Sequence, residues 1–445
     1  MRILHTSDWH LGQNFFTKSR KKEHQAFMLW LLEQVDAQSI DAVIVAGDVF
    51  DTGAPPSYAR ELYNQFVVDL QKKGCTLVVL GGNHDSVSTL NESKQLLACL
   101  NTYVVASSND DLSQQLFTLN NSKGEPGAIL CAIPYLRPRD LVRSEAGLSS
   151  QQKQQGISEA IKQHYGALYQ LALEKRAQLG INLPIITTGH LTALGVSQSE
   201  SVRDIYIGTL DGFAADGFPP ADYIALGHIH RPQIVAKRDN IRYCGSPIPL
   251  SFDELPSNKW SSNKLSPNKQ VVLVEFESGG KLSSETQPAT KIELLPVPMF
   301  QPMATIKGDL VHIESELTKL CSELIEGDEA NRDKLIWLAI EVESQDYLTD
   351  LQHRIQTLID GSPVEVLQLR RARQAKSQAL QQQQKETLAE LTPFDVFEKR
   401  LAQEVFESDV EQKRCERITE QFRNIVEEVR DENADDKHIK TEDKA

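Results

Sequence analysis

Histidines and carboxylates set directly after short apolar runs constrain this chain more than any other feature. Arg2–Thr6 is followed by Ser7-Asp8-Trp9-His10, Ala42–Ala46 by Gly47-Asp48-Val49-Phe50-Asp51, and Thr76–Leu80 by Gly81-Gly82-Asn83-His84-Asp85. Ile185–Thr188 runs into Gly189-His190, and Tyr223–Leu226 into Gly227-His228-Ile229-His230. Ile129–Ile133 and Val271–Phe276 are runs of the same kind. Each is rich in apolar residues and bounded by turn residues, the pattern of a buried strand. Helical periodicity fills the gaps at Lys22–Gln38 and Ser57–Lys72, the second entered after Pro55-Pro56 with Ser57 as the expected N-cap. Strands alternating with helices predict an α/β domain over residues 1–280, and such domains gather their chemistry in the loops at strand ends.

The donors collected in those loops are Asp8, His10, Asp48, Asn83, His190, His228 and His230. They are hard oxygens and borderline nitrogens without a thiolate, a set that suits Mn²⁺, Fe²⁺ or Zn²⁺ with positions left open to water. In Asp8-x-His10 and His228-x-His230, an extended backbone would point both side chains the same way. One carboxylate shared between two ions would hold them roughly 3.5–4 Å apart, the clamp used for in-line displacement at phosphorus. Taken singly, each motif has a plainer reading: a turn with a solvated His, a Gly-Asp turn, or an Asx-type turn. Taken jointly, five of the eleven histidines occupy these positions in order, beside the right carboxylates, which points to a metal centre. His5, His24, His164, His312, His353 and His438 have no partner motif and read as core, surface or helix residues.

The formal net charge of −15 argues against a surface whose own Lys and Arg supply most of a duplex-binding field. Nucleic acid stays open as a substrate, because bound divalent ions and a basic partner can invert the local field. Six cysteines without a C-x-x-C pair predict a reducing, cytoplasmic setting. No apolar run approaches the roughly 18 residues of a membrane helix, and the opening residues do not read as a targeting segment.

Further along, the polar stretch Gln151–Gln155 leads into a helix ending near Leu179, and Leu255–Lys269, with three Asn-Lys pairs, reads as a surface loop. A second small α/β domain is expected over residues 290–370. Its elements are a strand at Met303–Lys307, a helix presenting Leu310, Ile313, Leu317, Leu320 and Leu324 on one face, a strand at Leu335–Val342, a helix at Tyr347–Asp360 and a strand at Val364–Leu369. Two helices within 385–430 carry apolar stripes, Phe397 with Leu401, and Ile418 with Phe422, Ile425 and Val429. They are too small for a core of their own and must pack on the second domain or on another protein. The charged stretch 431–445 reads as a disordered tail. Lys18, Arg20, Lys21 and Lys22, and Arg370, Arg371 and Arg373, are candidate phosphate contacts, or more plainly solvated charged faces. The chain has no P-loop, since Gly279-Gly280-Lys281 is followed by Leu282, so ATP hydrolysis is not expected of it.

The ordered set D-x-H, G-D, G-N-H-D, G-H and G-H-x-H resembles the calcineurin-like metallophosphoesterases. The opening thirteen residues, Val45–Asp51, Val202–Gly208 and Ala225–Arg231 are similar to a bacterial DNA-nuclease branch of that family, and the likeness extends to about residue 430. The resemblance implies a four-layer αββα sandwich with a small α/β capping domain and a C-terminal helical segment that binds an ATPase. It also implies that Asp8, His10, Asp48 and His230 hold a first metal, and that Asp48 bridges to a second held by Asn83, His190 and His228. His84 is implied as the catalytic residue, stabilising the transition state and protonating the leaving oxygen, with Asp85 and the strand end orienting it. Two Mn²⁺ ions are expected, with Mg²⁺ tolerated, and ATP bound by the partner alone. That partner would be an SMC-family coiled-coil ATPase in a two-plus-two complex, the nuclease subunits forming a homodimer through the nuclease domain. The activity implied is ATP-dependent exonuclease action on double-stranded ends and endonuclease action on single strands and hairpins, serving DNA repair, replication and recombination. A partner would also offset the acidic charge and cover the C-terminal stripes. The segment Leu255–Lys269 is longer than the resemblance leads one to expect. A stand-alone metallophosphatase or cyclic-nucleotide phosphodiesterase could use the same site but seldom needs a second α/β domain and a helical tail. A non-catalytic scaffold would have no use for the intact ligand set.

Overall fold

The computed structural model describes residues 1–141, 150–203, 212–255, 265–277, 290–326, 335–343, 351–371, 417–419 and 422. Period-two packing explains its two large sheets. In Ala42–Val45 every residue is buried, but Val43 and Val45 face one core while Ala42 and Ile44 face another. Leu77 and Val79 alternate with Val78 and Leu80 in the same way. In the other sheet Ile129 and Cys131 alternate with Ala128 and Leu130. Strands buried on both faces read as continuous apolar runs, and each such aliphatic side chain contributes about 1.5–3 kcal/mol of burial.

The first sheet runs in the order Thr290–Pro298, Leu265–Phe276, Arg2–Thr6, Ala42–Val45, Thr76–Leu80, Thr102–Val105. Its last four strands are parallel, and Leu265–Phe276 is antiparallel to both its neighbours. The second sheet runs Gln233–Val235, Arg238–Tyr243, Tyr223–Gly227, Ile185–His190, Pro126–Cys131, Leu116–Asn120, with the inner four parallel. Ile3, Ile44, Val78 and Val274 of the first sheet meet Leu130, Ile186 and Ala225 of the second in a shared core. Outside it, helices Lys21–Ala37 and Ser57–Lys72 cover the first sheet through Phe27, Leu31, Phe66 and Leu70. Helix Ser150–Leu179 covers the second through Ile161, Tyr165 and Leu168. The result is a four-layer αββα sandwich.

A third, all-parallel sheet of Met303–Gly308, Ile336–Val342 and Val364–Arg371 packs one face on helices Leu310–Glu326 and Leu351–Ile359, through Ile313, Leu317 and Ile355. Its other face sets Met303, Trp337 and Ala339 against Phe15, Phe252 and Leu255. Phe15 stacks on Trp337 with ring centroids 5.6 Å apart, and Lys18 pairs with Glu365 at 2.6 Å. All of this belongs to one unit, Met1–Ala372. Arg373–Ala445 is a separate unit, in which residues 417–419 and 422 are helical and Ile418 is exposed. The remaining residues of the expected helices at 385–430, and the tail 431–445, lie outside the described residues. No described helix is long and apolar enough to cross a membrane.

Several expectations need correction. Thr290–Pro298 does not open the second unit but forms the edge of the first sheet. Leu255–Lys269 is not surface loop throughout, because a strand begins at Leu265, its pairing shifts register between Leu265 and Gln270, and Lys269 is buried. Pro56, not Ser57, is the N-cap of its helix. Arg20 is fully buried against Glu23 and the Pro249 carbonyl, so it is neither a phosphate contact nor part of a solvated face.

Candidate metal centre

The donor loops bend sharply as they leave the strands. Asp8, His10, Asp48 and His228 all have positive φ, at 53°, 46°, 51° and 92°. Non-glycine residues seldom occupy that region, although Asp, Asn and His tolerate it best, and such strain collects at functional sites. The two D-x-H and H-x-H segments are therefore not extended, and their side chains converge through left-handed kinks. The fold holds these kinks with backbone bonds, Asp8 N–H to Gly47 O at 3.0 Å and His10 N–H to Asp48 O at 3.1 Å. Glycine is required where the loops touch. A Cβ at Gly227 would lie 1.9 Å from the Ala46 carbonyl oxygen, and one at Gly82 would lie 2.1 Å from Asp48 Oδ1.

All seven donors read from the sequence come together. Ligand atoms of Asp8, His10 and His230 lie within 4.8 Å of one another, as do those of Asp48, His190 and His228. Asp48 Oδ2 sits between the two groups, 3.6 Å from His10 Nε2 and 3.2 Å from His190 Nε2. Asn83 Oδ1 lies 2.9 Å from His190 Nε2 and 3.1 Å from His228 Nδ1. His84 also falls within reach of His10 and Asp48. The six charged or imidazole donors are at most 2% exposed.

This set fits divalent cations. Two buried carboxylates stand among imidazoles, and buried charge requires a counter-charge. His10 Nε2 and His228 Nε2 are buried with no hydrogen-bond partner. The second nitrogens are fixed from behind: His10 Nδ1 by Asp51 Oδ1 at 3.1 Å, His190 Nδ1 by the Ala46 carbonyl at 2.9 Å, and His230 Nδ1 by Ser201 Oγ at 2.7 Å. Outer partners of this kind orient metal-binding imidazoles. Burial would lower the His190 pKa, but the Asp48 carboxylate overrides it and raises it to about 9. Burial, reinforced by the His190 charge, pushes His228 well below the ordinary range. The site thus mixes a proton-seeking and a proton-shedding imidazole around one anion.

His84 stands at the mouth of the site, its ring centroid 4.6 Å from that of His10. Its Nδ1–H donates to the Asp51 carbonyl at 2.8 Å, which leaves Nε2 free, and burial lowers its pKa. Asp51, not Asp85, orients this ring. Asp85 instead accepts from the backbone N–H groups of Val49, Phe50 and Gly82 at 3.1, 2.9 and 2.9 Å, stitching two donor loops together. Its pKa rises to about 6 through burial and the neighbouring Asp48 charge. A cleft of about 370 Å³ opens over His10, His84 and His230, rimmed by Phe16, Arg203 and Arg370. Arg370 makes a bidentate pair with Glu200 at 2.8 and 2.7 Å. Ser201, Glu254 and Lys269 belong to the site's surroundings and carry no motif that would mark them in the sequence.

A family model described as calcineurin-like phosphoesterase matches residues 1–232, and one described as the type 5 capsule protein repressor C-terminal domain matches residues 299–405. The chain is 52% identical over 413 residues to the SbcD subunit of nuclease SbcCD from Escherichia coli (strain K12), covering 93% of this chain and 96% of that protein. It is 29% identical to the protein of the same name from Bacillus subtilis (strain 168), covering 81% and 84%. The counterpart from Rhodobacter capsulatus is 35% identical over 57% of this chain and 64% of that protein. Geometry, family match and near-full-length identity agree, and the chain belongs to the calcineurin-like phosphoesterases, in the branch of the SbcD nucleases.

Proposed function

We propose that this chain is the nuclease subunit of an SbcCD-type complex and hydrolyses DNA phosphodiesters with two Mn²⁺ ions, Mg²⁺ being a weaker substitute. The observation that carries the reading is the convergence on Asp48 Oδ2 of donors from five strand ends. Asp8, His10, Asp48 and His230 would hold one ion, and Asp48, Asn83, His190 and His228 the other. Bound there, the ions would supply an activated water and share the charge that grows on the phosphoryl oxygens. The chain's own part is positional: Asp51 keeps His84 turned so that Nε2 faces the cleft and can hand a proton to the leaving oxygen.

The αββα sandwich, through Pro298, is the nuclease domain in this reading, and the third sheet with its helices is a capping domain bordering the cleft. Residues 385–430 bind the partner, an SbcC-type SMC-family ATPase that carries the ATP site, and two copies of each chain assemble. The products expected are those of ATP-dependent exonuclease action on duplex ends and endonuclease action on single strands and hairpins.

The test combines purified chain, Mn²⁺, the ATPase and a DNA hairpin. Cleavage is expected, falling by about 10²–10⁴-fold in His84→Gln with metal content unchanged. Asp48→Ala should bind neither ion. Full metal content in Asp48→Ala, or turnover of a small phosphomonoester without DNA cleavage, would overturn the proposal.

A further inference from the structure

Behind His230 runs a chain of polar contacts, half-buried at Ser201 on the cleft wall and buried at Glu254 and Lys269. Ser201 Oγ lies 2.7 Å from His230 Nδ1 and 2.7 Å from Glu254 Oε1. The hydroxyls of Ser199 and Ser251 reach the same carboxylate oxygen, each at 3.1 Å. Glu254 Oε2 accepts from Leu250 N–H at 3.1 Å and from the Lys269 ammonium at 2.5 Å. Lys269 then returns to the ligand residue, donating to the His230 carbonyl at 2.9 Å and to Ser246 Oγ at 2.7 Å. One Glu–Lys pair thus grips both the ring and the backbone of His230.

Proton counting fixes the tautomer. Ser201 has a single hydroxyl proton, and a carboxylate only accepts. That proton goes to Glu254, so His230 Nδ1 must supply its own to Ser201. In the neutral ring His230 Nε2 is then the bare nitrogen, the one left to the ligand group that His230 forms with Asp8 and His10. Burial alone would raise the Glu254 pKa, but the Lys269 charge beside it holds the carboxyl well below the usual range. The opposite imidazole differs in kind, since His190 Nδ1 rests on the backbone carbonyl of Ala46, which no side-chain substitution removes.

We propose that Ser201, Glu254 and Lys269 are positioning residues that lock His230 as its Nδ1–H tautomer with Nε2 turned to a cation shared with Asp8 and His10. The proposal rests on the reading of those residues as one ion's ligands. It predicts a one-sided defect: disturbing the relay weakens that ion and spares the ion at Asn83, His190 and His228.

The experiment titrates Mn²⁺ into chelator-stripped, full-length chain and follows it by electron paramagnetic resonance. Wild type should take two ions and give the broad spectrum of an exchange-coupled pair. Ser201→Ala should keep one ion at wild-type affinity and weaken the other by about 10–100-fold, so that limiting Mn²⁺ gives the six-line spectrum of an isolated ion. Ser201→Thr, which keeps the hydroxyl, should restore the coupled spectrum. Glu254→Gln should show the same one-sided loss where it folds; Ser201→Ala removes only a hydroxyl and keeps the test decisive if it does not. A coupled spectrum in Ser201→Ala at wild-type Mn²⁺ levels overturns the proposal. So does equal weakening of both ions, or a lowered metal-free melting temperature that accounts for the loss. Failure of wild type to bind two ions would be seen first and would fell the underlying metal reading instead.

Discussion

Two ion pairs anchor opposite sides of the short segment 199–201, and they differ in what they can do. Ser199 and Ser201 turn inward to Glu254, whose partner Lys269 is 2% exposed. Glu200, between them, turns outward to Arg370, and those side chains are 53% and 46% exposed. The inward pair is buried and geometrically fixed, which suits it to the proposed grip on His230. The outward pair is a bidentate fork in water at the cleft rim, strong in geometry but weak in energy. Burial of a charge pair costs several kcal/mol in desolvation, so breaking one partner is severe. Exposed pairs contribute little because water screens them.

The largest effect should come from Lys269→Met, which strands the Glu254 anion in the interior. A loss of about 3–5 kcal/mol is expected by chemical denaturation of the metal-free chain. A loss below about 1 kcal/mol, the range of an exposed pair, would erase the distinction between the two. Next, a double-mutant cycle of Glu200→Ala and Arg370→Ala should give a coupling of about 0.2–1 kcal/mol, fading in roughly 1 M salt. A salt-insensitive coupling would show the outward pair to be as sheltered as the inward one. The smallest effect concerns DNA: if Arg370 exchanges Glu200 for a phosphate, Arg370→Ala should flatten the plot of log affinity against log salt by roughly 0.7–0.9. An unchanged slope would confine Arg370 to its protein partner.

The donor residues are legible in the sequence because each follows a strand signal directly, and a strand end in an α/β sandwich can only deliver its loop to the sheet edge. Their convergence is legible too, but not its means. The two-residue spacing in Asp8-x-His10 and His228-x-His230 suggests extended backbone, whereas the kinks at positive φ depend on contacts between loops distant in sequence. Lys269 is hidden for a related reason. It closes a run of Asn-Lys pairs that looks like solvated loop, yet it lies buried in a strand whose pairing shifts register between Leu265 and Gln270. Arg20 misleads in the same way, a basic residue in a basic cluster that folds under the Pro249 carbonyl. Thr290–Pro298 falls on the wrong side of the expected boundary because strand pairing across a connection leaves no local mark. Asp51 stands out only as part of a motif, while its two roles, carboxylate to His10 and carbonyl to His84, emerge from the folded loop.

The left-handed turns at Asp8, His10, Asp48 and His228 are tied to one another, since the N–H groups of Asp8 and His10 reach the carbonyls of Gly47 and Asp48 and the His228 N–H reaches the Asp8 carboxylate. These loops are therefore mutually seated. Substituting Asp8 would unsettle His228 as well, because the carboxylate that seats the His228 N–H leaves with it.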